Sequence, residues 1–189
     1  MNDVGALATD AMDFLLDAVT HIPSKSWDQP SNLDGWSIRD VVGHVTGSAA
    51  KVAALVEGGE IWQKPSVPDD WKCEDPVARL RELAARVRAA LPGADLDAMR
   101  PSPQGEVPLR RALTFPVSDL AMHGWDLYRS QGRLVELPDD LLTFCRGLVE
   151  SLPEDMLRRP GGFGPARTVP ENATPTTRFM CYLGRSVDD

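Results

Sequence analysis

Cysteine is scarce in this chain of 189 residues: Cys73, Cys145 and Cys181 stand far apart and form no Cys-x-x-Cys pair. The sequence therefore offers neither a disulfide framework nor a cysteine zinc site, and a reducing compartment suits it. It also lacks an apolar run of the roughly 18–20 residues that a membrane span needs. The acidic N-terminus has no basic signal-peptide region. These absences predict a cytoplasmic protein that crosses no membrane.

Basic residues are also fewer than acidic ones. The chain has 20 Lys and Arg residues against 28 Asp and Glu, which gives a formal net charge of -8. Because phosphate binding needs clustered Lys and Arg, this balance argues against a nucleic-acid partner. The arginines of segment 79–88 follow an amphipathic helix pattern and are interpreted as a solvated helix face. Serine-hydrolase and nucleotide-binding motifs are absent from the sequence.

Helical periodicity runs along most of the chain. Ser37 and Asp40 predict an N-cap and a near capping box for a helix that Gly58 ends. In the fourth helix, Pro116 either kinks the axis or resets the start. The predicted helices begin near Leu7, Ser37, Asp75, Pro108 and Pro138, and a short one runs from Pro175 to Leu183.

No strand pattern is visible, and residues 94–107 look like an irregular connection. The pattern therefore predicts an all-α fold: a four-helix bundle with short additional helices and a loop-rich C-terminal tail. A single domain spanning residues 1–189 is expected, since no linker separates two cores. Trp36, Trp62, Trp71 and Trp125 are interpreted as core or loop-packing residues, with pocket lining as the alternative.

The chain has only three histidines, so each can be weighed. Asp119 and His123 are four residues apart on a predicted helix, which places both side chains on one face. His44 lies on another helix, at the flank of its apolar stripe. Helical bundles build metal sites from such facing side chains. Two histidines and one carboxylate leave open positions and suit catalytic zinc or a non-haem iron centre.

Simpler interpretations of these residues stay open. An Asp-x-x-x-His pair is common on helix surfaces, and His44 alone is more often a hydrogen-bonded edge residue. Asp126, three residues after His123, competes with Asp119 as a ligand or accepts a hydrogen bond from an imidazole. His21, near a predicted helix C-terminus, is interpreted as a surface histidine.

Three segments carry a resemblance to a known family. DGWSIRDVVGH at 34–44 resembles the histidine-bearing helix of the DinB-like superfamily. The branch most similar is the one containing the mycothiol-dependent maleylpyruvate isomerase metal-binding domain. HGWDL at 123–127 resembles its second signature. FGPA at 163–166 and LGR at 183–185 resemble the tail of its single-domain members.

The resemblance implies an antiparallel four-helix bundle that holds one divalent metal. The family's His, Glu and His ligands fall on His44, Asp119 and His123. Asp119 departs from the usual glutamate and is one methylene shorter, which implies a shifted metal or a bridging water. Leu33 stands where many relatives carry cysteine. The isomerase also has a separate C-terminal domain that this chain is expected to lack, so isomerase activity itself is not transferred.

The leading hypothesis is a metal-dependent thiol S-transferase or isomerase-type enzyme acting on a small-molecule substrate. The resemblance implies a mycothiol-like low-molecular-weight thiol as cofactor. Zinc is the first choice of metal, with nickel, iron or manganese as alternatives. A non-catalytic binding module, a bundle with a decayed metal site and a mononuclear iron oxygenase are the competing hypotheses. A homodimer is compatible with a helical bundle, and no sequence feature decides it.

Overall fold

Capping residues set the ends of the longest helices. The structure is a computed structural model that describes residues 3–59, 66–102 and 105–187; Trp62, interpreted from the sequence as a packing residue, lies outside them. Helix α1 (Val4–Thr20) begins where the Asp3 side chain accepts from the Gly5 amide. Helix α2 (Ile38–Val56) begins with the full capping box of Ser37 and Asp40, as predicted. Gly58, with φ of 89°, follows its end in a left-handed conformation.

Helix α3 (Pro76–Ala90) starts at Asp75, whose carboxylate accepts from the Ala78 amide at 2.9 Å. The later helices are α4 (Leu109–Ala112), α5 (Thr114–Ser130), α6 (Asp139–Glu150), α7 (Glu154–Leu157) and α8 (Pro175–Tyr182). Short 3-10 turns at Ser24–Ser26, Pro68–Asp70 and Leu91–Gly93 follow α1, α2 and α3, respectively. The described chain is thus mainly helical, as the periodicity predicted.

The fourth predicted helix is divided at Leu113. Helix α4 ends one residue before it, and α5 begins one residue after it. Pro116 is the third residue of α5, and in a first helical turn its missing N–H removes no intrahelical hydrogen bond. Of the two predicted effects of this proline, the reset start is therefore the one observed.

The expectation of an irregular connection over residues 94–107 was wrong in part, because this segment contains two short strands. Strand β1 (Met99–Ser102) pairs antiparallel with β2 (Gly105–Pro108). Both strands are short and largely exposed, so they carry no apolar alternation for a sequence pattern to detect. Pro101 and Pro108 weaken the signal further, because proline is depleted in strands.

Four helices close a ring of contacts: α1 packs on α3 and α5, and α2 packs on the same two helices. Helix α6 covers α5. Burying a large aliphatic or aromatic side chain contributes about 1.5–3 kcal/mol, so the ring is held mainly by its apolar interior. Fully buried side chains there include Leu7, Leu15, Val45, Val52, Leu83, Leu120 and Trp125. The antiparallel order and the single-domain extent stay predictions.

Helices α2 and α5 lie side by side within this ring. His44 belongs to α2, whereas Asp119 and His123 belong to α5. The packing therefore brings the two predicted halves of the metal site face to face. None of the helices in the described ranges combines the length and hydropathy that a bilayer-spanning helix needs.

Candidate metal centre

His44, Asp119 and His123 come together between α2 and α5. Nε2 of His44 lies 3.0 Å from Oδ2 of Asp119, and Nε2 of His123 lies 3.4 Å from Oδ1. The two imidazole rings are nearly perpendicular, with centroids 5.0 Å apart. One ligand atom from each residue falls within 4.8 Å of the other two. The three side chains chosen from the sequence thus form one cluster.

Protein acceptors fix the far nitrogen of each imidazole. Nδ1 of His44 lies 2.7 Å from the Ser66 carbonyl oxygen, and Nδ1 of His123 lies 2.9 Å from Oδ2 of Asp126. A carbonyl and a carboxylate only accept hydrogen bonds, so both Nδ1 atoms carry the proton. Each Nε2 atom therefore points its coordination position at Asp119, in the arrangement that metal-bound histidines show.

Asp119 is itself held in place by a serine. Ser48 lies one turn after His44 on α2 and donates a hydrogen bond of 2.5 Å to Oδ2 of Asp119. The carboxylate therefore reaches both histidines directly although it is one methylene shorter than the expected glutamate. No sequence motif pointed to Ser48 as a partner of Asp119.

Asp126 plays the second of its two predicted roles. It is fully buried and contacts His123 on the side away from Asp119. Its other partners are Asn32, whose Nδ2 donates to Oδ1 at 3.1 Å, and Arg185, whose Nε lies 3.1 Å from the same oxygen. Nothing in the sequence indicated that Asn32 and Arg185 contact Asp126, because both are distant from it along the chain; Arg185 ends the LGR motif, but that motif does not show which residue it contacts.

The charges in the cluster shift one another's pKa values. Burial would lower the pKa of His123, but the carboxylates of Asp119 and Asp126 outweigh it and raise that pKa from 6.5 to about 9. Burial would raise the pKa of Asp119, but His123 and His44 hold it well below 3.8. Without a metal, the cluster therefore keeps Asp119 ionised and His123 protonated at neutral pH.

The separations within the cluster fit a divalent metal. Zinc–nitrogen and zinc–oxygen bonds of about 2.0–2.2 Å place tetrahedral ligand atoms about 3.3–3.6 Å apart. The two Nε2 atoms already lie 3.0 and 3.4 Å from the carboxylate oxygens. The donor set of two imidazoles and one carboxylate suits zinc, nickel or iron. The donor types and these two spacings therefore suit a divalent ion.

Two glycines of α2 let a loop approach the site. A Cβ at Gly43 would lie 2.6 Å from the Pro68 carbonyl oxygen, and one at Gly47 would lie 2.6 Å from Cβ of Ser66. Only glycine permits this approach, which places the Ser66 carbonyl against His44. Trp71 packs at the same place, with its ring nitrogen 2.7 Å from the position of a Gly47 Cβ.

The remaining residues singled out in the sequence lie apart from the cluster or pack around it. Trp125 is fully buried and donates to the Val135 carbonyl oxygen at 3.0 Å, whereas Trp36 stacks edge-on against His44. His21 is exposed and bonds to the Asp17 carbonyl oxygen. Burial raises the pKa of Cys145 to about 12, so this thiol is inert at neutral pH.

Comparison with known proteins shows which family the chain belongs to. The family model described as the mycothiol maleylpyruvate isomerase N-terminal domain matches residues 8–128. The chain belongs to this family. The match includes His44, Asp119 and His123, and it ends before the C-terminal tail. The resemblance drawn from the sequence motifs is thereby confirmed.

Two solved structures share the family fold. The crystal structure of the mycothiol-dependent maleylpyruvate isomerase matches with a TM-score of 0.62 and 16% identity, covering 77% of this chain and 68% of that one. A histidine-to-alanine mutant of that enzyme matches with a TM-score of 0.61 and the same identity and coverage. At 16% sequence identity, these matches show that the chain shares the all-α, DinB-like fold, and they carry no statement about its activity. No curated protein matches the chain.

Proposed function

We propose that the chain is a divalent-metal enzyme of the thiol S-transferase or isomerase type, with His44, Asp119 and His123 as ligands. One observation carries the proposal: two imidazoles and one carboxylate place a ligand atom each within 4.8 Å of one another, while both Nδ1 atoms bond to other protein acceptors. A surface Asp–His pair has no reason to recruit a third ligand and two orienting acceptors. Zinc is the metal proposed first, with nickel, iron and manganese as alternatives.

A bound divalent ion supplies Lewis acidity and lowers the pKa of a thiol that approaches it. The proposed thiol is a low-molecular-weight cofactor of the mycothiol kind, because the related enzyme of known structure is a mycothiol-dependent isomerase. The candidate cluster found among the described residues includes no cysteine, and burial raises the pKa of the Cys145 thiol to about 12. The small-molecule substrate would then be an electrophile that accepts the thiolate.

The charge of the cluster supports an anionic guest. Asp119 and Asp126 contribute two negative charges and Arg185 one positive charge. Imidazoles that bind a metal are neutral, so these groups then carry a net charge of -1 before the charge of the ion is added. A divalent ion changes this to +1, and a single thiolate or hydroxide then neutralises it. Uncompensated buried charge is costly, so the site favours one anion.

Among the described residues, the cluster is more exposed at His44 and Asp119 than at His123. The side chains of His44 and Asp119 are 20% and 27% exposed, whereas that of His123 is 12% exposed and Asp126 is fully buried. We expect a guest to enter past His44 and Asp119. Lys51, one turn beyond Ser48 on α2, is half-buried near this opening, and burial lowers its pKa while Asp119 opposes that shift. Its ammonium group adds positive potential for an incoming anion.

Cobalt substitution tests the thiol proposal directly. Protein loaded with Co²⁺ is titrated with a low-molecular-weight thiol, and a near-ultraviolet sulfur-to-cobalt charge-transfer band is expected to grow to saturation. His44→Ala is expected to abolish the band. His21→Ala is the matched control, because His21 is exposed and its ring contacts Asp17 of α1, and this variant should behave like the wild type.

Two outcomes count against the proposal. If Co²⁺ binds but no thiol produces the band, the protein holds metal without activating a thiol, as a binding module would. If neither Co²⁺ nor Zn²⁺ binds, the cluster is a decayed site. A cytoplasmic location, the absence of a nucleic-acid partner and a homodimer stay predictions.

A further inference from the structure

The C-terminal tail reaches the candidate metal centre. Nε of Arg185 lies 3.1 and 3.2 Å from the two carboxylate oxygens of Asp126. The Arg185 side chain is 11% exposed, and the Asp126 side chain is fully buried. This ion pair lies directly behind His123, because Asp126 also accepts from Nδ1 of that residue at 2.9 Å. Arg185 of the tail is therefore linked to the His123 ring, which carries the Nε2 atom facing Asp119, through a single intervening residue, Asp126.

Backbone and ring contacts on both sides of Arg185 restrain its position. Gly184 precedes it with φ of 81°, and a Cβ at this position would lie 2.8 Å from the Gly164 carbonyl carbon. The Arg185 guanidinium also lies 5.5 Å from the centre of the Phe163 ring. These contacts join the two tail motifs that the sequence singled out, FGPA and LGR.

Asp126 needs this partner. A buried carboxylate without compensating charge is costly, and burial acts to raise the pKa of Asp126. Arg185, followed by His123, reverses that effect and keeps the pKa below 3.8. Arg185 also contacts both oxygens, so the carboxylate cannot rotate freely about its Cβ–Cγ bond.

We propose that Arg185, from a segment beyond the family match, is a positioning residue of the metal centre. It holds the Asp126 carboxylate so that Asp126 orients the His123 ring and presents Nε2 toward Asp119. This inference rests on the proposed metal-binding function. It assigns to the C-terminal tail a part in metal affinity, although the ligands themselves come from α2 and α5.

The test compares Arg185→Gln, Arg185→Lys and the control Arg178→Gln. Arg178 belongs to the same C-terminal region, but its exposed side chain donates to the Ala173 and Glu171 carbonyl oxygens, which lie just before α8. Zinc dissociation constants are measured by chelator competition at a temperature where every variant is fully folded. Arg185→Gln is expected to weaken zinc binding by about 10–100-fold, the usual effect of losing a residue that orients a ligand.

The Arg185→Lys variant shows whether Arg185 acts by positioning Asp126 or only by stabilising the fold. Arg185→Lys retains the charge but loses the planar guanidinium, so its zinc affinity is expected to fall between those of the wild type and Arg185→Gln. Arg178→Gln is expected to match the wild type. Zinc affinity of Arg185→Gln within twofold of the wild type would overturn the inference, whatever the variant does to the melting temperature.

A second measurement needs no metal. In metal-free wild type the buried Nδ1–H proton of His123 is expected to give a protected downfield proton signal in NMR spectra, because Asp126 accepts from it. Arg185→Gln is expected to broaden or remove this signal through faster exchange with water. An unchanged signal contradicts the inference even if the wild type binds no metal, a result that would reject only the proposed function.

Discussion

Oδ2 of Asp119 lies 3.0 Å from Nε2 of His44, and this contact joins α5 to α2 at the open side of the candidate metal centre. The same oxygen accepts a hydrogen bond from Ser48. The other oxygen of Asp119 faces His123 at 3.4 Å. One carboxylate thus bridges two histidines from different helices, and the cluster's response to pH, mutation and metal follows from that arrangement.

The metal-free protein should lose stability as the pH rises. The folded-state pKa of His123 is about 9, above its ordinary value of 6.5. Protonated His123 therefore stabilises the fold fully below pH 6.5, and this contribution disappears as the pH rises through about 9. Urea unfolding of metal-free protein is expected to show a falling free energy of unfolding across this interval. His123→Asn should flatten the decline, and an equally steep decline in that variant would reject the assignment.

Zinc binding should release a proton. Below pH 9 the Nε2 proton of His123 must leave before that nitrogen can act as a ligand. Calorimetry in buffers of different ionisation enthalpy is expected to give about one proton released per ion near neutral pH, and less as the pH approaches 9. Release that does not change over this interval would show that His123 is not a ligand.

Gly43 should tolerate no larger side chain. In Gly43→Ala the new Cβ would lie 2.6 Å from the Pro68 carbonyl oxygen, which is backbone and cannot turn aside. The variant is expected to be less stable by about 1–3 kcal/mol, the usual cost of overpacking. Because the same loop carries the Ser66 carbonyl against His44, zinc affinity should fall as well.

Gly147→Ala is the matched control for that change. Gly147 also lies inside a helix, α6, but a Cβ there meets no atom of the described residues within 4 Å. Alanine has the higher helix propensity, so this variant is expected to gain about 0.5–1 kcal/mol. Chemical denaturation measures both variants. Equal effects of the same sign would contradict the close approach of the loop at Gly43.

Lys51→Met should change metal and thiol binding in opposite directions. Removing the half-buried ammonium near Asp119 relieves its repulsion of a cation, so Zn²⁺ affinity is expected to rise by about threefold. The affinity of the cobalt-loaded protein for a thiolate is expected to fall by a similar factor. Chelator competition and thiol titration measure the two quantities, and a loss of metal affinity would show that Lys51 supports the site in another way.

Much of this architecture can be predicted from local pattern. Helix starts at Ser37 and Asp75 follow from capping chemistry that involves residues only three apart. Asp119 and His123 share a face because four residues make about one helical turn. The β1–β2 hairpin could not be predicted in this way, since its short, exposed strands carry neither alternation nor turn signal strong enough to identify them.

The surroundings of the ligands depend on long-range contacts. Ser66, Asn32 and Arg185 reach the cluster only because the loop after α2, the segment before it and the C-terminal tail fold back onto α2 and α5. No helical period or short motif encodes such contacts. The sequence could therefore propose three candidate ligands, but it could not show which atoms orient them or that Asp126 contacts His123 on the side away from Asp119.

The most direct test of the central claim is the metal content of protein purified without an affinity tag or chelator. Wild type and His21→Ala are expected to contain close to one divalent ion per chain by elemental analysis, or to acquire it on reconstitution with zinc, nickel, iron or manganese. His44→Ala and His123→Ala are expected to contain almost none. Wild type that stays metal-free after every reconstitution, or histidine variants that retain the ion, would contradict the account.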